Sequence, residues 1–191
     1  ALIVRQPDLS TAALIALVSF TLFFVAGADW RQFAVAGLLG GTVFLILINT
    51  LPHAAARVDA YTTALSDPHQ ASWHVQQSLI ALGRGGIFGV GLGESTQKFG
   101  PLPFAHTDGV FAILGEELGL VGSLVVLALL GMLVWRGLRT AVRARDSFGF
   151  LRAIGITCWI VYQALINIAV ITAVIPFTGI PLPFMLSLIH I

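Results

Sequence analysis

Charge is what this chain has least of. Only 10% of its residues are Asp, Glu, Lys or Arg, against about 25% in an ordinary soluble domain. With 57% hydrophobic residues and a mean hydropathy of +0.93, that scarcity excludes a soluble globular chain. The formal net charge of +1 leaves no basic face or stripe, which excludes a nucleic-acid partner. The single cysteine, Cys158, lies inside an apolar run. A disulfide framework and a cysteine metal site are therefore ruled out, and the thiol reads as a small packing residue. No basic n-region precedes an apolar core at the start, so no cleavable signal peptide is expected. The chain opens without methionine and stops inside an apolar segment, as a piece of a longer protein would.

What is present is hydrocarbon in long runs. Four apolar segments stand out: Thr11 to Ala28, Phe33 to Leu51, Val110 to Trp135 and Ala153 to Ile175. Each approaches or exceeds the ~20 residues a helix needs to cross a ~30 Å hydrocarbon core. The expectation is an all-α polytopic membrane protein, one membrane domain with four transmembrane helices. Five of the ten cations (Arg136, Arg139, Arg143, Arg145 and Arg152) fall between the last two segments. Short basic loops stay in the cytoplasm, so residues 136–152 are expected inside and the long 52–107 connection outside. Gln163 and Asn167 sit one turn apart in the fourth segment, as packing bonds to a neighbouring helix or as substrate contacts.

The 52–107 connection is too rich in special residues for a tether. Val75, Leu79 and Leu82 have the spacing of one helix face, which predicts a short interfacial helix over 73–82. Six glycines follow in the eleven positions from Gly83 to Gly93, letting backbone approach a ligand closely or turn sharply. Glu94 stands where a dinucleotide fingerprint needs its third glycine, and no Gly-Lys-Ser/Thr is present, so neither nucleotide motif applies. His69 and His74 have no third partner at helical spacing, and a mixed site with Asp67 is less favoured than exposed loop histidines.

The concentration of acid lies further on. Three of the nine carboxylates, Asp108, Glu116 and Glu117, occupy ten positions at the head of the third apolar segment. A carboxylate at membrane depth is expensive, which makes function the default reading. Asp108 falls at the helix start, where the dipole favours its charge; Thr107 or Asp108 also suits an N-cap. Glu116 lies within about 80° of the Asp108 face at 100° per residue and is expected to line the same cavity, with Glu117 pointing to another helix. On the outer side stand Arg5, Arg57, Arg84 and Lys98, cations suited to a phosphorylated headgroup while a carboxylate takes a proton. The simpler alternative is snorkelling toward lipid phosphates.

The run Gly83-Arg84-Gly85-Gly86, then Gly89-Val-Gly91-Leu-Gly93-Glu94-Ser95-Thr96-Gln97-Lys98, continues through Leu102-Pro103 and His106-Thr107-Asp108 to Gly115-Glu116-Glu117-Leu118-Gly119. It resembles the SEDS family (FtsW, RodA and SpoVE), and the wording is closest to the division-type members. Agreement also runs through Gln6-Pro7-Asp8-Leu9, Gln77-Ser78-Leu79, Phe148-Gly149 and Thr178-Gly179-Ile180-Pro181-Leu182-Pro183-Phe184. The resemblance implies part of a fold of about ten helices in the bacterial cytoplasmic membrane. It also implies a glycosyltransferase that polymerises lipid II into peptidoglycan strands, its active site facing outward. Asp108 matches the family's essential aspartate, the general base on the acceptor hydroxyl. Arg57, Arg84 and Lys98 become pyrophosphate contacts. Glu116, His106, Thr107, Gln97 and Asp8 join them around the substrate, with room for a divalent cation, magnesium or manganese. The implied partners are a class B penicillin-binding transpeptidase and other divisome proteins. A lipid II flippase and a non-catalytic divisome scaffold are the competing readings. Two departures stand out. Gly109 replaces a larger residue beside the proposed base, loosening the helix start, and Met185 to Ile191 depart from the family's ending.

Overall fold

The computed structural model describes residues 9–50, 52–66, 72–98 and 107–184. Among them the regular structure is helical throughout: α1 (Leu9–Val25), α2 (Trp30–Thr50), α3 (Pro52–Ser66), α4 (Trp73–Gly85), α5 (Val110–Val142) and α6 (Ser147–Ile171). Helices α2, α5 and α6 are long and apolar enough to cross a membrane. Helix α1, at 17 residues, is shorter than the expected first span, so three of the four expected helices meet the length.

The chain divides into two compact units: Ala1–Ala56 with Gly131–Tyr162, and Arg57–Leu130 with Gln163–Ile191. In the first unit, α1 ends where Gly27 takes a φ of +86° and Ala28 N–H donates back to the Phe23 carbonyl at 3.4 Å. This left-handed glycine releases the last carbonyls of α1 to a tight turn. Phe33 then returns onto Phe20 and Phe24, with ring centroids 4.0 and 5.1 Å apart. Small residues let the neighbours close in. A methyl on Gly155 would meet a Leu22 methyl at 3.2 Å, and Thr21 shares a 2.8 Å hydrogen bond with the Tyr162 hydroxyl.

The arginine-rich connection is mostly helix, against the expected 136–152 loop. Helix α5 runs on to Val142 and α6 starts at Ser147. Asp146 explains the restart: its Oδ2 accepts the Gly149 N–H at 2.8 Å and its carbonyl the Phe150 N–H at 3.0 Å, an N-cap. Arg136, Arg139 and Arg152 lie on the helices instead, Arg139 over Trp135 and Arg152 over Phe148 at 5.4 and 5.6 Å, and only Arg143 and Arg145 fall in the short connection.

The second unit holds the core that positions the site. Ala81 of α4, Phe111 and Ala112 of α5, Ala164 and Ile171 of α6, and Leu182 form one buried cluster. The expected helix over 73–82 is present as α4 and is joined by α3. Its buried residues are His74, Val75, Gln77, Ser78, Ala81 and Gly85. Of the expected apolar face, Val75 is buried and Leu82 packs against the core, while Leu79 is exposed. Towards its C-terminal end the buried side chains are small (Ser78, Ala81, Gly85), and there α4 packs backbone to backbone. A methyl on Gly85 would come within 2.9 Å of the Glu116 Cα.

Candidate active site

Helix α5 is broken at Gly119, whose φ of 67° and ψ of −162° are not helical. A break inside an apolar helix strands backbone groups, and such a defect is tolerated only where protein satisfies them. The glycine-rich stretch does so. Val90 N–H donates to the Glu116 carbonyl at 3.0 Å and Gly91 N–H to that of Glu117 at 3.1 Å, just before the break. Beyond it, Leu120 and Val121 donate to the Gly86 and Ile87 carbonyls at 2.9 and 3.2 Å. The approach is so close that a methyl on Gly119 would lie 2.6 Å from the Ile87 carbonyl oxygen, and one on Gly89 would lie 2.7 Å from the Leu118 carbonyl carbon. Gly85 and Gly89 thus face Gly115 and Gly119, two four-residue glycine spacings interlocked. Of the two expected uses of these glycines, the turns are present, with positive φ at Gly86, Gly89, Gly91 and Gly93, and the close approach is to another stretch of the chain.

The interlock carries Glu116 into a clasp. Its side chain is fully buried. Ser95 Oγ donates to Oε2 at 2.5 Å, Thr96 Oγ1 to Oε1 at 3.2 Å, and Gln97 N–H to Oε2 at 3.4 Å. Arg84 Nε lies 3.9 Å from Oε1, and Arg84 Nη1 donates to Thr96 Oγ1. Lys98 N–H closes the turn on Ser95 Oγ at 3.2 Å. Arg84, Gln97, Lys98 and Glu116, scattered in sequence, therefore meet at one place. The expectation that Glu116 lines an open cavity with Asp108 is corrected, because its oxygens face only protein donors. The Arg84 side chain is half exposed. Glu117 makes no ion pair among the described residues, and its Oε1 is buried without a hydrogen bond. Sequence reasoning gave Ser95 and Thr96 no role. The one available signal was a hydroxyl pair beside glycines in a chain with a buried acid to satisfy.

Asp108 stands in a turn one residue before Gly109, whose carbonyl accepts the Ile113 N–H at 3.2 Å. Gly109 is thus the N-cap position of α5, where glycine is acceptable. Asn167 of α6 holds this turn, its Nδ2 donating to the Asp108 carbonyl at 3.0 Å and to the Ile180 carbonyl at 2.8 Å. Gln163 Nε2 donates to the Pro181 carbonyl at 3.1 Å. The two amides bond backbone, as in the packing reading. The 178–182 segment they anchor reaches the acid: a methyl on Gly179 would lie 3.5 Å from Asp108 Oδ2. Thr178 Oγ1 and Asn167 Oδ1 are buried there without hydrogen-bond partners. Thr107 adjoins Asp108; His106 and Asp8 lie outside the described residues.

Arg57 belongs to a different wall. With Tyr61, Val75, Leu79, Ile175 and Phe177 it lines a cavity of about 290 Å³ whose lining does not include Arg84, Lys98 or Asp108. Behind it His74 is buried, its ring 4.6 Å from that of Phe177, and neither nitrogen has a hydrogen-bond partner. Burial pushes its pKa below the usual 6.5. The expected exposed histidine is a packed one at this position. Among the described residues no three His, Cys, Asp or Glu side chains gather as a metal site; Asp67 and His69 lie outside them.

The FtsW/RodA/SpoVE family model, described as a cell cycle protein, matches residues 1–187. The chain belongs to this family. Stage V sporulation protein E of Bacillus subtilis is 44% identical over 184 residues, 96% of this chain and 50% of that protein. The probable peptidoglycan glycosyltransferase FtsW of Alkalilimnicola ehrlichii is 44% identical over 188 residues, 96% of this chain and 47% of its own length. The chain thus spans about half the length of the curated relatives it matches. A solved structure, described as "Structural coordination of polymerization and crosslinking by a peptidoglycan synthase complex", superposes with a TM-score of 0.71. It is 29% identical and covers 95% of this chain and 50% of that one. As a member of the FtsW/RodA/SpoVE family with three membrane-length apolar helices, the chain is a multi-pass membrane protein.

Proposed function

We propose that this chain forms half of a peptidoglycan glycosyltransferase that joins lipid II units into glycan strands. One observation carries the reading beyond likeness. The half-helix Val110–Leu118 joins an acid at its head, Asp108, to a basic turn held by Glu116 lower down. General-base transfer from a diphosphate-linked sugar needs that pairing of a proton acceptor and anion-holding cations. Relatives named as probable peptidoglycan glycosyltransferases, similar over 96% of the chain, support it. The site faces outward from the bacterial cytoplasmic membrane, because the arginines from Arg136 to Arg152 favour the inner side.

In this mechanism the Asp108 carboxylate takes the proton from the acceptor sugar hydroxyl. That oxygen attacks the donor anomeric carbon with inversion, the bond to the diphosphate oxygen breaks, and undecaprenyl pyrophosphate leaves. Arg84 and Lys98 hold the diphosphate, with Arg57 and its apolar cavity on the lipid side. Gln97 and Thr107 complete the substrate surroundings. A divalent cation fits as a site shared with substrate. One carboxylate plus the orphaned Asn167 Oδ1 and Thr178 Oγ1 are hard oxygen donors of the kind magnesium and manganese take alongside phosphates. It would neutralise charge on the leaving diphosphate. The partner is a class B penicillin-binding transpeptidase within the divisome, in keeping with the polymerisation and crosslinking named for the structural relative.

The test uses the full-length protein with its transpeptidase and purified lipid II. Asp108→Asn is expected to slow strand formation by about 10² to 10⁴, the contribution of a general base. Normal rates in the variant would remove Asp108 from the chemistry. Lipid II crossing liposomes without polymer from either protein would favour a flippase.

A further inference from the structure

We propose that Glu116 is the positioning residue of the diphosphate subsite, clasping the 95–97 turn so that Arg84 and Lys98 stand at a fixed place relative to Asp108. The inference rests on the glycosyl-transfer reading and gives the buried acid a role within it.

Burying a carboxylate is costly unless donors surround it. Here the donors are Ser95 Oγ, Thr96 Oγ1 and the Gln97 N–H, with Arg84 as ion-pair partner, all from the glycine-rich loop or its flanks. No oxygen of Glu116 is exposed, so a substrate cannot be its partner. Its position on α5 is fixed, because the backbone carbonyls of Glu116 and Glu117 are bonded to Val90 and Gly91. Eight residues of the same half-helix separate it from Asp108, about 12 Å at 1.5 Å per residue.

The two cations hang from this clasp by different routes. Arg84 is held directly and through Thr96, whose hydroxyl accepts from Arg84 and donates to Glu116. Lys98 is held through its backbone N–H on Ser95 Oγ, the oxygen whose proton goes to Glu116. Loss of the carboxylate therefore removes the support that Arg84 and the Ser95–Lys98 turn share. Displacements of about 1 Å at a reacting centre are enough to cost two orders of magnitude in rate.

Groups acting as one unit give non-additive effects. The probe is inorganic pyrophosphate, titrated calorimetrically into the full-length protein bound to its transpeptidase. This readout needs no turnover. Glu116→Gln and Lys98→Met are each expected to raise the dissociation constant about tenfold. The double variant should stay within about threefold of the weaker single variant, where independent sites would place it about a hundredfold above the wild type. Ser95→Ala and Thr96→Val leave the carboxylate in place and are expected to raise the constant in the same direction, which keeps the test alive if Glu116→Gln fails to fold. Effects that multiply, an unchanged constant in Glu116→Gln, or no pyrophosphate binding by the wild type would each overturn the proposal. Polymerisation is assayed in parallel. Strands made by the wild type and lost in Asp108→Asn, with binding indifferent to Glu116, would sink this inference and leave the glycosyl-transfer reading standing.

Discussion

Single residues here act mainly by what they lack. Gly119 holds a backbone conformation open almost only to glycine, and a methyl would also meet the Ile87 carbonyl. Such strain costs about 1–3 kcal/mol before the clash is added. Gly119→Ala is therefore expected to lower the melting temperature in detergent by several degrees and to raise protease cleavage within 86–98. Gly131→Ala, with open space around its Cβ position, should change neither. His74 gives a pH signature. Its pKa is lowered by burial, so below pH 6.5 the unfolded chain binds a proton that the folded chain refuses. Its contribution to stability is intact above that pH and declines as pH falls toward the folded-state value. Melting temperature should drop between pH 7 and pH 5, and His74→Phe should flatten that part of the profile. The acid cluster was legible in the sequence because charge is so rare. The partners of Glu116 were not, since Ser95 and Thr96 lie 21 and 20 residues away and no periodicity links a loop to a helix.

Among the elements, α6 does most to locate Asp108. One amide nitrogen, Asn167 Nδ2, supports both the turn that holds the acid and the segment that runs past it. Asn167→Leu removes both donors and leaves two carbonyls short of a partner, at about 1–3 kcal/mol each. The expected result is a slower kcat for strand synthesis with a small change in KM for lipid II, together with a lower melting temperature. An unchanged kcat would show that Asp108 is held by other means. The apolar runs revealed these helices because bilayer thickness sets their length. The break in α5 was hidden, as glycine is common in membrane helices and Gly115, Gly119 and Gly122 look alike in sequence. The basic stretch misled for a related reason: arginine marks a membrane side, yet it is also a good helix former.

At the scale of the whole molecule, large apolar side chains stay uncovered along α2 and the distal part of α5, among them Leu38, Leu39, Leu45, Leu124, Leu129 and Met132. A helix apolar all round belongs in lipid or among other helices, and the relatives are twice as long as this chain. Class and family were therefore readable from composition and motifs, while the pairing of α4 with α5 required coordinates. That pairing also has a consequence for biogenesis. The ribosome delivers Gly85 and Gly89 before Gly115 and Gly119 exist, so the loop must leave the insertion machinery with its half of the seam unfilled. Only when α5 has entered the bilayer do the stranded amides at its break find the waiting carbonyls of Gly86 and Ile87. A nascent chain arrested before Leu120 would lack the amides that close the far side of the seam.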